Sequence, residues 1–169
     1  IDPARNFLPV KDVKRFIEVM AKYKYNALQL HLTDDQGWRI ALKSYPQLAS
    51  PQSYSAADIR EIVAYAAEHY IDVIPELDIP GHTAAFLSVY PELGCTHLQN
   101  APIKVGETVN RMLCAANDTV YTVYDNILRE VAALFPSQYI HLGGDEAAVP
   151  ANWEKCPHCR AMMEQKGYK

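Results

Sequence analysis

Short apolar runs with the spacing of a strand alternate along this chain with apolar residues at helical spacing, and that alternation constrains the fold more than any other feature. Val10, Val13, Phe16, Ile17, Met20 and Ala21 recur at the period of a helix, with Pro9 placed to start it. The run Asn26 to Leu32 reads as a strand, followed by a polar, proline-containing stretch from Thr33 to Tyr54. Ser55, with Asp58 three residues on, predicts a capped second helix whose apolar face is Ile59, Ile62, Val63, Ala66 and Ala67. Ile71 to Leu77 is the next strand, expected to end or bulge at Pro75, where a ladder donor is missing. A long segment from Ile79 to Asn117, punctuated by Pro80, Gly81, Pro91, Gly94, Pro102 and Gly106, has the length of a functional loop. Asp118 is expected to cap a third helix carrying Val120, Val123, Tyr124, Ile127, Leu128 and Val131. A strand from Tyr139 to Leu142 follows, and a fourth helix is predicted from about Asn152 towards Gly167.

Regular alternation of this kind means parallel strands joined by crossover helices. It fits an open doubly wound sheet or a (β/α)8 barrel, although 169 residues hold only about four such units and a complete barrel needs roughly 250. No glycine-rich phosphate loop follows any strand, which weighs against a dinucleotide-binding sheet. A net charge of −4 gives no basic surface for nucleic acid, and no apolar run approaches the roughly 20 residues of a membrane span.

The polar residues fall in a pattern. Asp2 and Arg5 come after what reads as the end of a first strand, Asp34 and Asp35 after the second, Glu76, Asp78 and His82 around the end of the third, and Asp145 and Glu146 after the fourth. Chemistry in parallel α/β folds sits at the carboxyl ends of the strands, so four successive clusters describe the rim of a site. The last is the most informative. Neighbouring side chains on a strand point to opposite faces, so the adjacent acids of His141-Leu142-Gly143-Gly144-Asp145-Glu146 belong where the chain turns and both can reach one cavity. Gly143 and Gly144 let the backbone bend and leave room for a ligand. Alone, the pair would serve as a helix start; with the other three clusters it fits the paired acids of glycoside cleavage.

Four blocks carry a resemblance to a known family: Asp2-Pro3-Ala4-Arg5-Asn6-Phe7, His31-Leu32-Thr33-Asp34-Asp35-Gln36-Gly37-Trp38-Arg39, Glu76-Leu77-Asp78-Ile79-Pro80-Gly81-His82-Thr83 and the Gly-Gly-Asp-Glu block. In this order and spacing they resemble the catalytic domain of the family 20 glycoside hydrolases, the β-N-acetylhexosaminidases, over essentially the whole chain but only the first half of the family's barrel. The resemblance implies a TIM-type (β/α) barrel represented by about its first four units, with residues 1–169 as one partial catalytic domain. It implies removal of terminal N-acetylglucosamine or N-acetylgalactosamine from β-linked glycans by a retaining, substrate-assisted mechanism, an exception to the two-carboxylate scheme. Glu146 would be the general acid and then base, and Asp145 would orient the substrate's acetamido group. Asp34 and His82 would line up behind Glu146 as a relay, and Arg5 would bind sugar hydroxyls. No cofactor or metal is implied, and the parent protein would act outside the cytoplasm, whether periplasmic, secreted or lysosomal. The aromatic acetamido pocket and the acid that reads the outer hydroxyls come from the family's second half and match no residue here.

The remaining polar residues rank lower. Asp35, Glu76 and Asp78 serve as readily to hold the rim together as to touch sugar; His141 reads as structural, facing the barrel interior. Trp38 and Arg39 read as packing and bracing, and Trp153 as core on the last helix. Cys156-Pro157-His158-Cys159 is half of a zinc-ligand set, but closing it needs two more ligands and no second CxxC exists. Buried thiols, or one disulfide joining the loop that holds Cys95 and Cys114, are the simpler expectation. Because Ile1-Asp2 is too short for a strand and a fifth strand would be due after Lys169, the expectation is a half-barrel cut from a longer polypeptide. The competing expectation is a non-catalytic half-barrel that binds sugar or self-associates through its open sheet edges.

Overall fold

The computed structural model describes residues 1–99, 103, 105 and 111–168; Pro102 and Gly106 of the long loop lie outside them. The elements in chain order are α1 (Val10–Lys22), β1 (Ala27–Asp34), β2 (Gly37–Trp38), α2 (Ala56–Glu68), β3 (Asp72–Leu77), α3 (Ala84–Val89), α4 (Asp118–Ala132) and α5 (Pro157–Lys166), with short 3₁₀ turns between them. This is an α/β fold, but its sheet is smaller and more mixed than the four parallel strands expected. β1 and β3 pair in parallel from Ala27 opposite Asp72 to Thr33 opposite Leu77. β2 folds back antiparallel on the end of β1, giving the order β2-β1-β3.

The segments expected to flank this pair are present as extended chain with few rungs. On one side His31 N–H donates to Ile1 C=O at 3.1 Å and Ala4 N–H to His31 C=O at 3.1 Å. On the other, the Tyr139–Leu142 run makes a single parallel bridge, His141 to Glu76. Its bonds are His141 N–H to Pro75 C=O at 2.9 Å and Leu77 N–H to His141 C=O at 3.0 Å. Gly143 and Gly144 then turn the chain with φ of 66° and 99°, which ends the ladder. Pro75 does not end β3 as expected. Its carbonyl still accepts from His141, and the irregularity falls in the partner strand between His31 and Thr33.

The strands sort their side chains by chemistry. Leu28, Leu30 and Leu32 of β1 and Val73 and Leu77 of β3 are buried in the core that also holds Val13 and Ile17 of α1, Ile59 and Ile62 of α2, and Ile127 and Val131 of α4. Alternation along each strand puts Gln29, His31 and Glu76 on the opposite face. Trp38 is core, 5.8 Å from the Phe86 ring. Arg39 braces the Asp2–Arg5 turn through its guanidinium, which donates to Pro3 C=O at 3.1 Å and Ala4 C=O at 3.0 Å.

The helix ends follow local chemistry. Ser55 and Asp58 form a complete capping box, worth about 1 kcal/mol. The α4 cap is Asn117, whose side chain accepts from Thr119 N–H; Asp118, the expected cap, is the first helical residue. α5 starts at Pro157 and stops at Gly167, which is left-handed, so it is shorter than expected and Trp153 precedes it, half-buried, donating to Leu113 C=O at 2.9 Å. Among the described residues no helix is long and apolar enough to cross a membrane.

Candidate active site

The site is assembled from four turns, each beginning where extended chain stops. In the first, Asp2 caps its own turn by accepting Arg5 N–H at 3.0 Å. The Arg5 guanidinium then forks between Asp2 Oδ2 and Asp34 Oδ2, both at 2.8 Å, with the side chain 46% exposed. The ion pair with Asp2 therefore coexists with a guanidinium open to solvent at the rim.

At the end of β1, Asp34 is buried and surrounded. His31 Nε2 lies 3.1 Å from Asp34 Oδ2, Asp35 N–H donates to Oδ1 at 2.6 Å, and His82 Nδ1 is 3.4 Å from Oδ1. Burial pushes the Asp34 pKa up, but the His31 hydrogen bond, the Asp35 N–H and the nearby His82 and Arg5 outweigh it and hold it below the ordinary carboxylate value. Asp35 turns the other way and accepts Ala84 N–H at 2.9 Å. Its burial raises its pKa; it anchors the start of α3 while one of its carboxylate oxygens stays within 4.8 Å of Asp34 and His82.

His82 joins the third turn to the fourth. Its Nε2 stands 3.4 Å from Glu146 Oε2 and 4.0 Å from Asp145 Oδ2. Arg5, Asp34, His82 and Glu146 thus form one continuous line of side-chain contacts, with Asp145 beside its end. The Glu146 contact is close but unaligned, since Nε2 is buried without a hydrogen bond; such contacts commonly tighten when substrate binds. Asp145 and Glu146 lie in a turn, not at a helix start, and their side chains are 69% and 79% exposed.

The backbone at this line is strained. Among the described residues four non-glycines have positive φ: Lys24, Tyr70, His82 and Glu146. Lys24 and Tyr70 close α1 and α2 in the Schellman manner, with Tyr25 N–H on Met20 C=O and Ile71 N–H on Ala66 C=O. His82 at 51° and Glu146 at 49° terminate no helix. Each costs on the order of 1 kcal/mol, and what their conformation achieves is the approach of the two side chains.

Asp78 sets the fourth turn. It is buried, its N–H donates to Thr33 Oγ1 at 3.0 Å, and its Oδ1 accepts Gly144 N–H at 3.1 Å. Burial raises its pKa, partly offset by the Gly144 bond. A Cβ on Gly143 would stand 1.7 Å from Asp78 Oδ1, so the room that Gly143 leaves is filled by this carboxylate and not by a ligand. Gly143→Ala is expected to displace the turn and cost about 1–3 kcal/mol in urea unfolding. Gly144→Ala, whose nearest neighbour would be 4.0 Å away, should cost less despite its own positive φ.

Sequence reasoning named His31 only inside a motif, yet it is central to the polar face. Its Nδ1 is 3.0 Å from Glu76 Oε2 and its Nε2 faces Asp34. Gln29 Nε2 donates to Glu76 Oε2 at 2.5 Å, and His141 Nδ1, which accepts Gly143 N–H, is 3.2 Å from Glu76 Oε1. Burial disfavours charge on His31, but Asp34 and Glu76 prevail and raise its pKa to about 9. The signal was available: Gln29 and His31 interrupt leucines in a strand that, if buried on both faces, should be wholly apolar. A folded pKa above the unfolded value near 6.5 stabilises fully below about pH 6.5, and that contribution is lost as pH rises through about 9. The loss should be on the order of 3 kcal/mol. Urea unfolding at pH 6 and above pH 9 should show it, and His31→Gln should flatten the dependence.

Acids and a histidine gathered at the carboxyl ends of parallel strands define a catalytic α/β protein class, and comparison with known proteins specifies the family. The family model for the glycosyl hydrolase family 20 catalytic domain matches residues 1–169. A β-hexosaminidase of Akkermansia muciniphila is 40% identical over 100% of this chain and 37% of its own length. The solved chitobiase of Flavobacterium johnsoniae superimposes with a TM-score of 0.93 at 36% identity, covering 100% of this chain and 26% of that one. A mutant Streptomyces plicatus β-hexosaminidase in complex with the product GlcNAc gives 0.80 at 41% identity, over 97% and 34%. The chain belongs to glycosyl hydrolase family 20. It spans between about a quarter and two fifths of the length of these relatives.

Proposed function

We propose that this chain carries the acid–base machinery of a β-N-acetylhexosaminidase that removes terminal non-reducing N-acetylhexosamine from β-linked glycans with retention of configuration. The observation that carries this reading is the line from Asp34 through His82 to Glu146, at 3.4 Å and 3.4 Å, with Asp145 alongside. In the first step the substrate's acetamido oxygen attacks the anomeric carbon while the bond to the leaving oxygen breaks. Glu146 gives its proton to that oxygen, and Asp145 accepts the acetamido N–H and opposes the positive charge of the oxazolinium ion. In the second step Glu146 takes a proton from water as water attacks the same carbon and the ring reopens. His82, held by the Asp34 anion, adjusts the charge felt by Glu146, and the exposed fork of Arg5 binds sugar hydroxyls. No cofactor takes part.

In the same reading the fold is the first four β/α units of a TIM-type barrel, with the end of one outer strand at Ile1–Asp2 and the other at Tyr139–Leu142. Substrates of this class occur on secreted, surface and lysosomal glycans, which favours an extracytoplasmic setting. Exposed Phe16, Val19, Tyr23 and Tyr25 beside Ile1 and the start of β1 favour coverage of this apolar surface by further polypeptide or by a second copy. Release of chromophore from an aryl N-acetyl-β-glucosaminide by the full-length protein tests the reading; binding of N-acetylglucosamine without turnover would replace it with a sugar-binding role.

A further inference from the structure

Cys95, Cys114 and the Cys156–Cys159 pair come from separate parts of the sequence, yet all four are buried and their sulfur atoms lie within 4.8 Å of one another. Two come from one local structure and two from another. Leu113 bridges Gly94 in antiparallel fashion and Cys114 N–H donates to Leu93 C=O at 2.9 Å, which sets Cys95 beside Cys114. Cys156 is the N-cap of α5, Pro157 opens the helix, and Cys159 follows within its first turn. The ligands that a second CxxC would have supplied are therefore provided by residues 19 positions apart. We propose that the four cysteines hold a zinc ion in a closed structural site.

Three observations support thiolates around a cation over neutral thiols or disulfides. Cys114 and Cys159 sulfurs are 3.5 Å apart, near the edge of about 3.8 Å that a tetrahedron with Zn–S of about 2.3 Å requires. Backbone N–H groups are aimed at the sulfurs: Ala116 at Cys114 and Cys159, and Thr96 and Cys159 at Cys156. Thr96 Oγ1 adds a contact to Cys156 at 3.8 Å. Donors of this kind, with the amino end of α5, offset the negative charge of a zinc–thiolate cluster, whereas a disulfide sulfur accepts hydrogen bonds poorly. Ala115, Ala116 and Trp153 pack around the four, and no sulfur is exposed enough to leave a coordination position for substrate, so the site is structural.

Such an ion would tie the loop after α3 to the segment that follows the Asp145-Glu146 turn. The other ties between them include Asn152 Oδ1 accepting Met112 N–H at 3.1 Å and the Trp153 bond to Leu113. The test is elemental analysis of the full-length protein purified without added metal, paired with thiol alkylation in denaturant without reductant. One zinc per chain, and four alkylated cysteines once a chelator is added, is the expected result. Cobalt replacement should give the intense visible bands of tetrahedral thiolate coordination. Cys95→Ser and Cys159→Ser should each reduce zinc occupancy at least tenfold and make the chain around the cluster protease-sensitive; should these variants not fold, the wild-type measurements decide. Cysteines that resist alkylation until reduced, four free thiols without metal, or iron with inorganic sulfide would each overturn the proposal.

Discussion

Glu146→Gln in the full-length protein should lower hydrolysis of N-acetyl-β-glucosaminides with poor leaving groups by on the order of 10²–10⁴, the worth of a positioned general acid. Glutamine keeps the shape and the neighbour at His82 Nε2, 3.4 Å away, but has no proton to give. The loss should shrink for aryl glycosides whose leaving group departs as a stable anion. Azide, which needs no base to attack, should restore part of the second step. Equal losses with good and poor leaving groups would remove Glu146 from the acid's role and leave it as a binding group. Circular dichroism should be unchanged, since a side chain 79% exposed contributes little to packing.

The second large effect is expected at Asp145. Asp145→Asn should cost on the order of 10²–10³ in kcat/KM, the usual consequence of removing one group aimed at developing charge. Unlike Glu146→Gln, it should hurt good and poor leaving groups alike, because in the proposed mechanism its partner is the acetamido group that forms the oxazolinium ion. Substrates lacking that amide should lose nothing further. A leaving-group dependence matching that of Glu146→Gln would assign both carboxylates to the same oxygen and contradict the proposed division. The two side chains arise from adjacent residues, and Glu146 approaches His82 to 3.4 Å while Asp145 stands at 4.0 Å.

Zinc in the cysteine cluster and the protonated His31 would both act on this machinery from behind. His31 fixes the Asp34 anion from the strand face, and the cluster fixes the chain that leaves the acid pair. Neither contacts Glu146 or Asp145 directly in the ion pairs of the site, so their loss should appear first in unfolding and only then in turnover.

What the amino-acid sequence determined by itself depends on near neighbours, although not every local feature was legible: the β2 hairpin and α3 arose inside stretches that read as loop. Ser55 and Asp58 specify the start of α2 because the capping box closes within a single turn. Leu28, Leu30 and Leu32 specify a strand face because side chains alternate, and the positions of Arg5, Asp34, His82, Asp145 and Glu146 after apolar runs specify turns at strand ends. Small displacements, such as Asn117 in place of Asp118 at the α4 cap, were decided by extended backbone at Asn117 (φ −103°, ψ 105°) that two adjacent cap-forming residues leave open. Tertiary structure alone decided which distant groups meet. It put Asp78 into the space beside Gly143, set His31 between Asp34 and Glu76, carried β3 through Pro75 by pairing its carbonyl with His141, and gathered four cysteines from the segment after α3 and the start of α5. These outcomes have no period and no local motif, because each is fixed by how two separate segments pack on one core; a side chain's sequence neighbours cannot report a partner brought to it by the fold.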